Sequence, residues 1–249
     1  MLKEERQNII LEEIKTHNKV HSSKLSQLLN VSEDTIRRDL RELAGNGRIK
    51  KVHGGAMATP NSPEIFGQQK ISKQAEREII AEKAVSLLRD GQVILMEGES
   101  TNLLLADHIP QEMTLTIFTN SLQLAYKLFN HQNIETIFLG GKLSHKYPMT
   151  LGMDVINALN EIHADLFFAE IDSIHEDIGI TNGDRESAYT KKAMFGSASQ
   201  TIVMCLSSDI GTIQPFKVEN LDRISTIITE AGPEHHQLNR FSNKGVQIL

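Results

Sequence analysis

The chain of 249 residues carries 26 Lys+Arg against 32 Asp+Glu, for a formal net charge of −6, and has one cysteine. That length holds one small and one medium domain with a buried core, and the lone Cys205, set in an apolar run as a core thiol, excludes a disulfide framework and a cysteine metal site. No apolar run reaches the roughly 18 residues of a membrane span, and Met1-Leu2-Lys3-Glu4-Glu5-Arg6 has no signal-peptide character, so a cytoplasmic protein without a membrane partner is expected.

The charge is unevenly spread. Residues 1–56 hold 11 Lys+Arg against 8 Asp+Glu, and the remainder holds 15 against 24. A basic head on an acidic body fits a nucleic-acid-binding domain joined to something else, because phosphate contact needs local positive charge only. Within the head, residues 2–15 read as an amphipathic helix with Ile9, Ile10 and Ile14 inward. A second helix, Ser23 to Leu29, leads through Asn30-Val31 to a third. There Ser32 is a good N-cap, Glu33 and Asp34 suit the positive helix end, and Ile36, Leu40 and Leu43 share one apolar face. The opposite face offers Thr35, Arg37, Arg38 and Arg41.

Two helices joined by so short a turn predict a helix-turn-helix, the later helix entering the major groove. Arg37 and Arg38 are the candidates for guanine edges or phosphates, Ser32 and Thr35 for phosphate or base contact, and Arg41 is a further DNA-binding residue. Asp39 is expected to hold an arginine, since a carboxylate facing phosphates is repelled. After Gly45-Asn46-Gly47-Arg48, two short strands around a basic turn would form a wing, with Lys50, Lys51 and His53 meeting phosphates.

Residues 57–72 lack periodicity, contain Pro60 and Pro63, and read as a linker between a DNA-binding domain at 1–56 and a second domain at 73–249. A helix from Lys73 to Arg89, with Ile80, Ala84, Leu87 and Leu88 inward, stops at Gly91. Strands are then predicted at 93–96, 115–118, 134–139, 166–169, 201–206, 224–229 and 246–248, with helices near 101–108, 122–129, 154–161, 187–199 and 234–242. Continuous apolar strands separated by helices indicate an α/β fold, a Rossmann-like parallel sheet covered on both faces.

Ligands of such sheets bind beyond the carboxyl ends of the strands, where Glu97-Gly98-Glu99-Ser100-Thr101, Thr119-Asn120-Ser121 and Gly140-Gly141-Lys142 collect. Hydroxyls, helix-start N–H groups and a lysine suit a small phosphorylated ligand. Each cluster alone is what any strand-to-helix turn contains. Three on one edge predict a pocket made of Glu97, Gly98, Ser100, Thr101, Thr119, Asn120, Gly140, Gly141 and Lys142.

Arg6, Ile10, the run Ser32-x-x-Thr35-Ile36-Arg37-Arg38-Asp39-Leu40 and the trailing Lys51-Val52-His53-Gly54-Gly55-Ala56 resemble the signature of the DeoR family of bacterial transcription regulators. Thr119-Asn120-Ser121, Gly140-Gly141, Ala164-Asp165, Gly179-Ile180-Thr181 and Glu186 to Met194 are similar to that family's effector domain. The resemblance covers nearly the whole chain. It implies a winged helix-turn-helix head and a ribose-5-phosphate-isomerase-like effector domain that senses phosphorylated sugars, with Asp172, Glu186 and Lys191 added to the effector site. It further implies a homo-oligomer on a double-stranded DNA operator, repressing a carbohydrate operon until a sugar or sugar phosphate binds.

Three positions depart from the family pattern. Glu99 places a carboxylate in the loop expected to approach phosphate, Ser173 follows Asp172 where glycine is usual, and Asp209 stands where the family carries a lysine. A non-phosphorylated polyol, an amine-bearing sugar or no ligand at all therefore stay open. So do two other classes: a DNA-binding scaffold with an inert effector domain, and a sugar isomerase-like enzyme using Glu170, Asp172, His175 or Glu186 as acid-base groups. No P-loop, dinucleotide fingerprint or nucleophile elbow is present, and His235-His236 lacks zinc-ligand spacing. No cofactor, metal or catalysis is expected.

Overall fold

A computed structural model describes residues 3–17, 19–45, 49–52, 54–57, 73–98, 100–235, 237–242 and 244–249. The chain divides into two compact units, Met1–Gly67 and Gln68–Leu249.

The first unit contains α1 (Lys3–His17), β1 (Lys19–His21), α2 (Ser22–Leu29), α3 (Glu33–Gly45), β2 (Lys50–Val52) and β3 (Gly55–Met57). Its core is Ile10 and Ile14 of α1, Leu25 of α2, Ile36, Leu40 and Leu43 of α3, and Val20, Ile49 and Ala56. Ile9 departs from the expectation at 39% exposed. One residue of helix is a rotation of about 100°, so the stripe made by Ile10 and Ile14 leaves Ile9 on the solvent side. The wing has a third strand that side-chain pattern does not announce, since β1 pairs antiparallel with β3, which also pairs with β2. Met57, expected in the linker, closes β3, and 58–72 and His53 lie outside the described residues.

The second unit runs α4 (Gln74–Val85), β4 (Val93–Met96), α5 (Ser100–His108), β5 (Leu115–Thr119), α6 (Leu122–Leu128), β6 (Ile134–Phe138), β7 (Lys142–Leu143), β8 (Thr150–Leu151) and α7 (Met153–Leu159). It continues with β9 (Ala164–Glu170), β10 (Ile174–His175), β11 (Gly179–Asn182), α8 (Arg185–Gly196), β12 (Ala198–Met204), β13 (Phe216–Glu219), β14 (Thr226–Ile228), α9 (Asn239–Ser242) and β15 (Gln247–Ile248). Seven parallel strands form one sheet in the order β15-β14-β12-β9-β4-β5-β6.

Alternate residues of each strand feed opposite faces, as the period of two requires. Ile94, Met96, Leu166, Phe168, Ile202 and Met204 pack with Ile80 and Ala84 of α4, Leu105 of α5 and Leu124 of α6. Leu95, Phe167, Ala169, Val203 and Cys205 pack on the other side with Val155 of α7 and Met194 and Phe195 of α8. There the Phe167 and Phe195 rings meet edge to face with centroids 5.3 Å apart, and burial pushes the Cys205 thiol pKa up.

Several boundaries differ from expectation. The helix expected over 187–199 ends at Gly196, because Ala198 already pairs with Ala164 and carries β12 through the polar Ser199 and Gln200. The helix expected over 234–242 is reduced to α9. The helix expected to run to Arg89 ends at Val85, and Leu88 enters the core from the following turn. A small antiparallel sheet, β10-β11-β13, lies outside the predicted set. It depends on Gly179, whose φ is +90° and where a Cβ would stand 2.2 Å from the Glu219 carbonyl oxygen.

Candidate nucleic-acid interface and effector site

In the head, the turn between α2 and α3 is closed by backbone and side chain together. Asn30 adopts the left-handed conformation (φ 50°), Val31 N–H donates to the Ser26 carbonyl at 3.2 Å, and Ser26 Oγ donates to the Val31 carbonyl at 2.6 Å. Ser32 then caps α3, its Oγ accepting from Thr35 N–H at 3.2 Å and lying 2.9 Å from Thr35 Oγ1. With Ile36, Leu40 and Leu43 buried, Ser32, Arg37, Arg38 and Arg41 are exposed and Thr35 is half-buried.

Arg37 pairs with Glu33 and Arg38 with Asp34, both at 3.0 Å one turn apart. Exposed pairs of this kind hold weakly, so a phosphate or base edge can displace the carboxylate. Asp39 faces inward instead. Its carboxylate accepts from Arg6 Nε at 2.6 Å and Nη2 at 3.2 Å, with the two side chains 13% and 4% exposed. Those hydrogen bonds hold the Arg6 guanidinium above its usual pKa.

On the wing, Lys50 and Lys51 are exposed along β2. Gly54 turns the hairpin at φ +75°, and Gly55 lies so close under β1 that a Cβ would sit 1.9 Å from the Val20 carbonyl oxygen.

In the second unit the strand-end residues converge on a buried charge cluster. Glu97, just past β4, pairs with Lys191 of α8 at 3.1 Å, the two side chains 6% and 4% exposed. Lys191 also donates to the Glu170 carbonyl. The Glu170 carboxylate accepts from Arg77 of α4 and from the N–H groups of Thr101 (2.7 Å) and Asn102 (3.3 Å). The first turn of α5 thus aims its N–H groups at an anion, as helix starts do, and that anion is the chain's own carboxylate. Arg77 also donates to Thr101 Oγ1 at 2.8 Å.

Beside this cluster Gly98 is pressed against Ser121, where a Cβ would lie 2.0 Å from the serine side chain. Thr119 Oγ1 accepts from Ser121 N–H, Ser121 Oγ caps α6 at Leu124, and Asn120 is tied to Thr150 through Nδ2 and its carbonyl. Lys142 and Glu186 meet separately at 3.0 Å. Gly140 and Gly141 are exposed, with a Cβ at Gly141 falling 3.2 Å from Val155, and Ser100 opens α5 half-buried.

The departures from the family pattern acquire physical roles. Ser173 is fully buried and its hydroxyl lies 2.8 Å from Thr181 Oγ1, which accepts from Gln214 N–H. Asp209 turns inward and accepts from Leu206 N–H at 3.1 Å. Burial, reinforced by nearby Asp172, holds its carboxyl above the ordinary pKa. Glu230 goes the other way, since hydrogen bonds from Ser207 outweigh its burial and hold its pKa down. Asp172 is exposed, and Glu99 lies outside the described residues.

Of the expected effector residues, Glu97, Gly98, Thr101 and Lys191 come together, with Thr119, Asn120 and Ser121 packed alongside. Sequence reasoning missed Arg77 and the ion-pairing role of Glu170, because their partners lie 93 positions apart along the chain. A cleft of about 530 Å³ opens at the opposite, amino-terminal edge of the sheet, lined by Arg89, Gln92, Asp165, Ser199, Gln200 and Gln247 among others. None of the expected effector residues borders it.

A winged helix-turn-helix head with an arginine-bearing helix, joined to a parallel-sheet α/β domain, defines a DNA-binding regulator with a sensor domain. Residues 6–61 match the DeoR-like helix-turn-helix domain and residues 72–231 the DeoR C-terminal sensor domain. The chain belongs to the DeoR family of helix-turn-helix transcriptional regulators. It is 30% identical over 251 residues to the HTH-type transcriptional repressor GlcR of Bacillus subtilis, covering all of this chain and 96% of that one. It is 28% identical over 233 residues to the L-fucose operon activator of Escherichia coli, covering 92% and 96%. Among solved structures, a ribose 5-phosphate isomerase from Methanocaldococcus jannaschii matches with a TM-score of 0.40 at 19% identity, over 53% of this chain and 52% of that one.

Proposed function

We propose that the chain is a repressor of a carbohydrate-metabolism operon, binding its operator through α3 and the wing and released by a small sugar or sugar phosphate at the carboxyl edge of the parallel sheet. The observation that carries the DNA-binding half is the division of α3. Ile36, Leu40, Leu43 and Asp39 are buried, while Ser32, Arg37, Arg38 and Arg41 are left to solvent. Lys50, Lys51 and His53 would add wing contacts to phosphates. Two or more chains, paired through the sensor domains, would present two recognition helices to two half-sites.

The effector-binding residues in this reading are Glu97, Gly98, Ser100, Thr101, Thr119, Asn120, Gly140, Gly141, Lys142, Asp172, Glu186 and Lys191. Ligand and operator couple only if the ligand favours one placement of the heads by differential affinity. The family supports a regulator working in the cytoplasm with no catalytic role. Among the described residues no helix is long and apolar enough to cross a membrane.

A second reading, a DNA-binding scaffold whose sensor domain takes no ligand, is favoured by one observation. Both cations of the strand-end cluster, the buried Lys191 and the half-buried Arg77, already face carboxylates. A melting-temperature survey of the full chain against plain and phosphorylated sugars separates the readings, because a ligand of the folded state raises Tm. A rise with one sugar class, together with weakened operator binding in its presence, supports the repressor. No rise with any member removes the effector half.

A further inference from the structure

We propose that Glu78, Glu82 and His108 form a binding site for one divalent transition-metal ion, Zn²⁺ or Mn²⁺, at the seam between α4 and α5. Glu78 and Glu82 stand one turn apart on α4, and His108 is the last residue of α5. One ligand atom from each lies within 4.8 Å of the others, and His108 Nε2 is 2.7 Å from Glu78 Oε1. The three groups thus converge from two helices rather than forming an acidic patch on one.

Two carboxylates one turn apart repel each other unless a cation lies between them. The basic residues nearest in sequence on α4 are turned elsewhere. Arg77 is directed to Glu170 and Thr101, and Lys83 donates to the carbonyls of Thr229 (2.8 Å) and Ala231 (3.3 Å). Among the described residues the Glu82 side chain makes no hydrogen bond or ion pair. The Glu78 carboxylate therefore meets only the imidazole among the described residues, and that of Glu82 has no hydrogen-bond or ion-pair partner there.

An imidazole nitrogen with two carboxylate oxygens suits Zn²⁺ or Mn²⁺ better than Mg²⁺ or Ca²⁺, which prefer all-oxygen shells. Ligand atoms around a tetrahedral ion at about 2.1 Å are about 3.4 Å apart, so the 2.7 Å contact between Glu78 and His108 must open to admit the ion, and any separation wider than about 3.4 Å must close. Glu82 is exposed and Glu78 is 38% exposed at its side chain, which leaves both free to move. Water would complete the shell. Bound there, the ion would brace the two helices that hold Glu170 from either side, Arg77 on α4 and the first N–H groups of α5.

The test is thermal unfolding and calorimetric titration of the full chain, stripped with chelator, against ZnCl₂, MnCl₂ and MgCl₂. Glu82→Gln and His108→Gln are measured alongside. Glu82→Gln alters an exposed side chain, and His108→Gln keeps a donor for Glu78, so both should fold. The expected result is one ion per chain and a Tm rise of at least about 2 °C with Zn²⁺ or Mn²⁺, absent with Mg²⁺ and lost in both variants. Equal shifts in the variants would place the ion elsewhere and overturn the proposal. So would the absence of binding at millimolar metal.

Discussion

Arg6 of α1 grips Asp39 of α3 at two points, so the helix that carries the exposed arginines is tied through its buried side to the first helix of the chain. Asp39 is 3% exposed and follows Arg38 directly. The ion pair therefore sets the rotation of α3 about its axis, and with it which side Arg37, Arg38 and Arg41 present. Breaking a pair of this kind leaves an uncompensated buried charge. Asp39→Asn should lower stability by about 1–3 kcal/mol and weaken operator binding although the mutated group faces away from DNA. Urea unfolding beside DNA titration checks both effects, and unchanged stability would remove the clamp.

Gly55→Ala should abolish the wing. Its Cβ would fall 1.9 Å from a backbone oxygen of β1, with no flexible side chain to give way. A cost of about 2–3 kcal/mol or more is expected, on the scale of severe overpacking, and falls on the head alone. Circular dichroism should lose little signal while DNA binding is lost.

The Glu97–Lys191 pair makes a sharper contrast. Lys191→Met strands a buried carboxylate and should cost about 3–5 kcal/mol. The double change Glu97→Gln with Lys191→Met removes both charges and should recover much of that loss. Denaturant midpoints of the two single variants and the double variant measure the coupling directly, and additivity would mean that the pair is not coupled.

Asp209 gives a pH dependence whose sign is fixed by its raised pKa. In the folded chain this carboxyl binds its proton more readily than in the unfolded chain, so its ionisation destabilises the fold as pH rises through the folded value. Asp209→Asn should therefore be more stable than the parent at neutral pH, by a Tm shift on the order of 1–2 °C. The gap should close as pH falls below the ordinary carboxylate range. A gap that is constant with pH would assign the effect to the packing or hydrogen bonding of the amide and not to the carboxylate charge.

The parallel sheet was legible because its strands are apolar without interruption, as in Val93–Met96 and Leu166–Ala169, and because a helix follows nearly every one. The face of α3 was legible for the same kind of reason, with Ile36, Leu40 and Leu43 at helical spacing. What escaped was held by contacts without a local pattern. Lys19–His21 joins the wing through backbone pairing, and Ala198–Gln200 enters β12 by pairing with β9. Arg77 reaches Glu170 from a helix with no sign of that role in its neighbours. Asp39 could be read as an arginine partner from its chemistry, but Arg6 could be named only once α1 was packed against α3.

Whether α3 lies against DNA is decided by titrating the full chain with a duplex from its own promoter, at several salt concentrations and beside Arg37→Ala. Affinity should fall steeply as salt rises. Arg37→Ala should lose about 1–3 kcal/mol, the scale of one base contact, with little change in unfolding because the side chain is 58% exposed. Affinity indifferent to salt, or an Arg37→Ala chain that binds as tightly as the parent, would contradict that placement of α3.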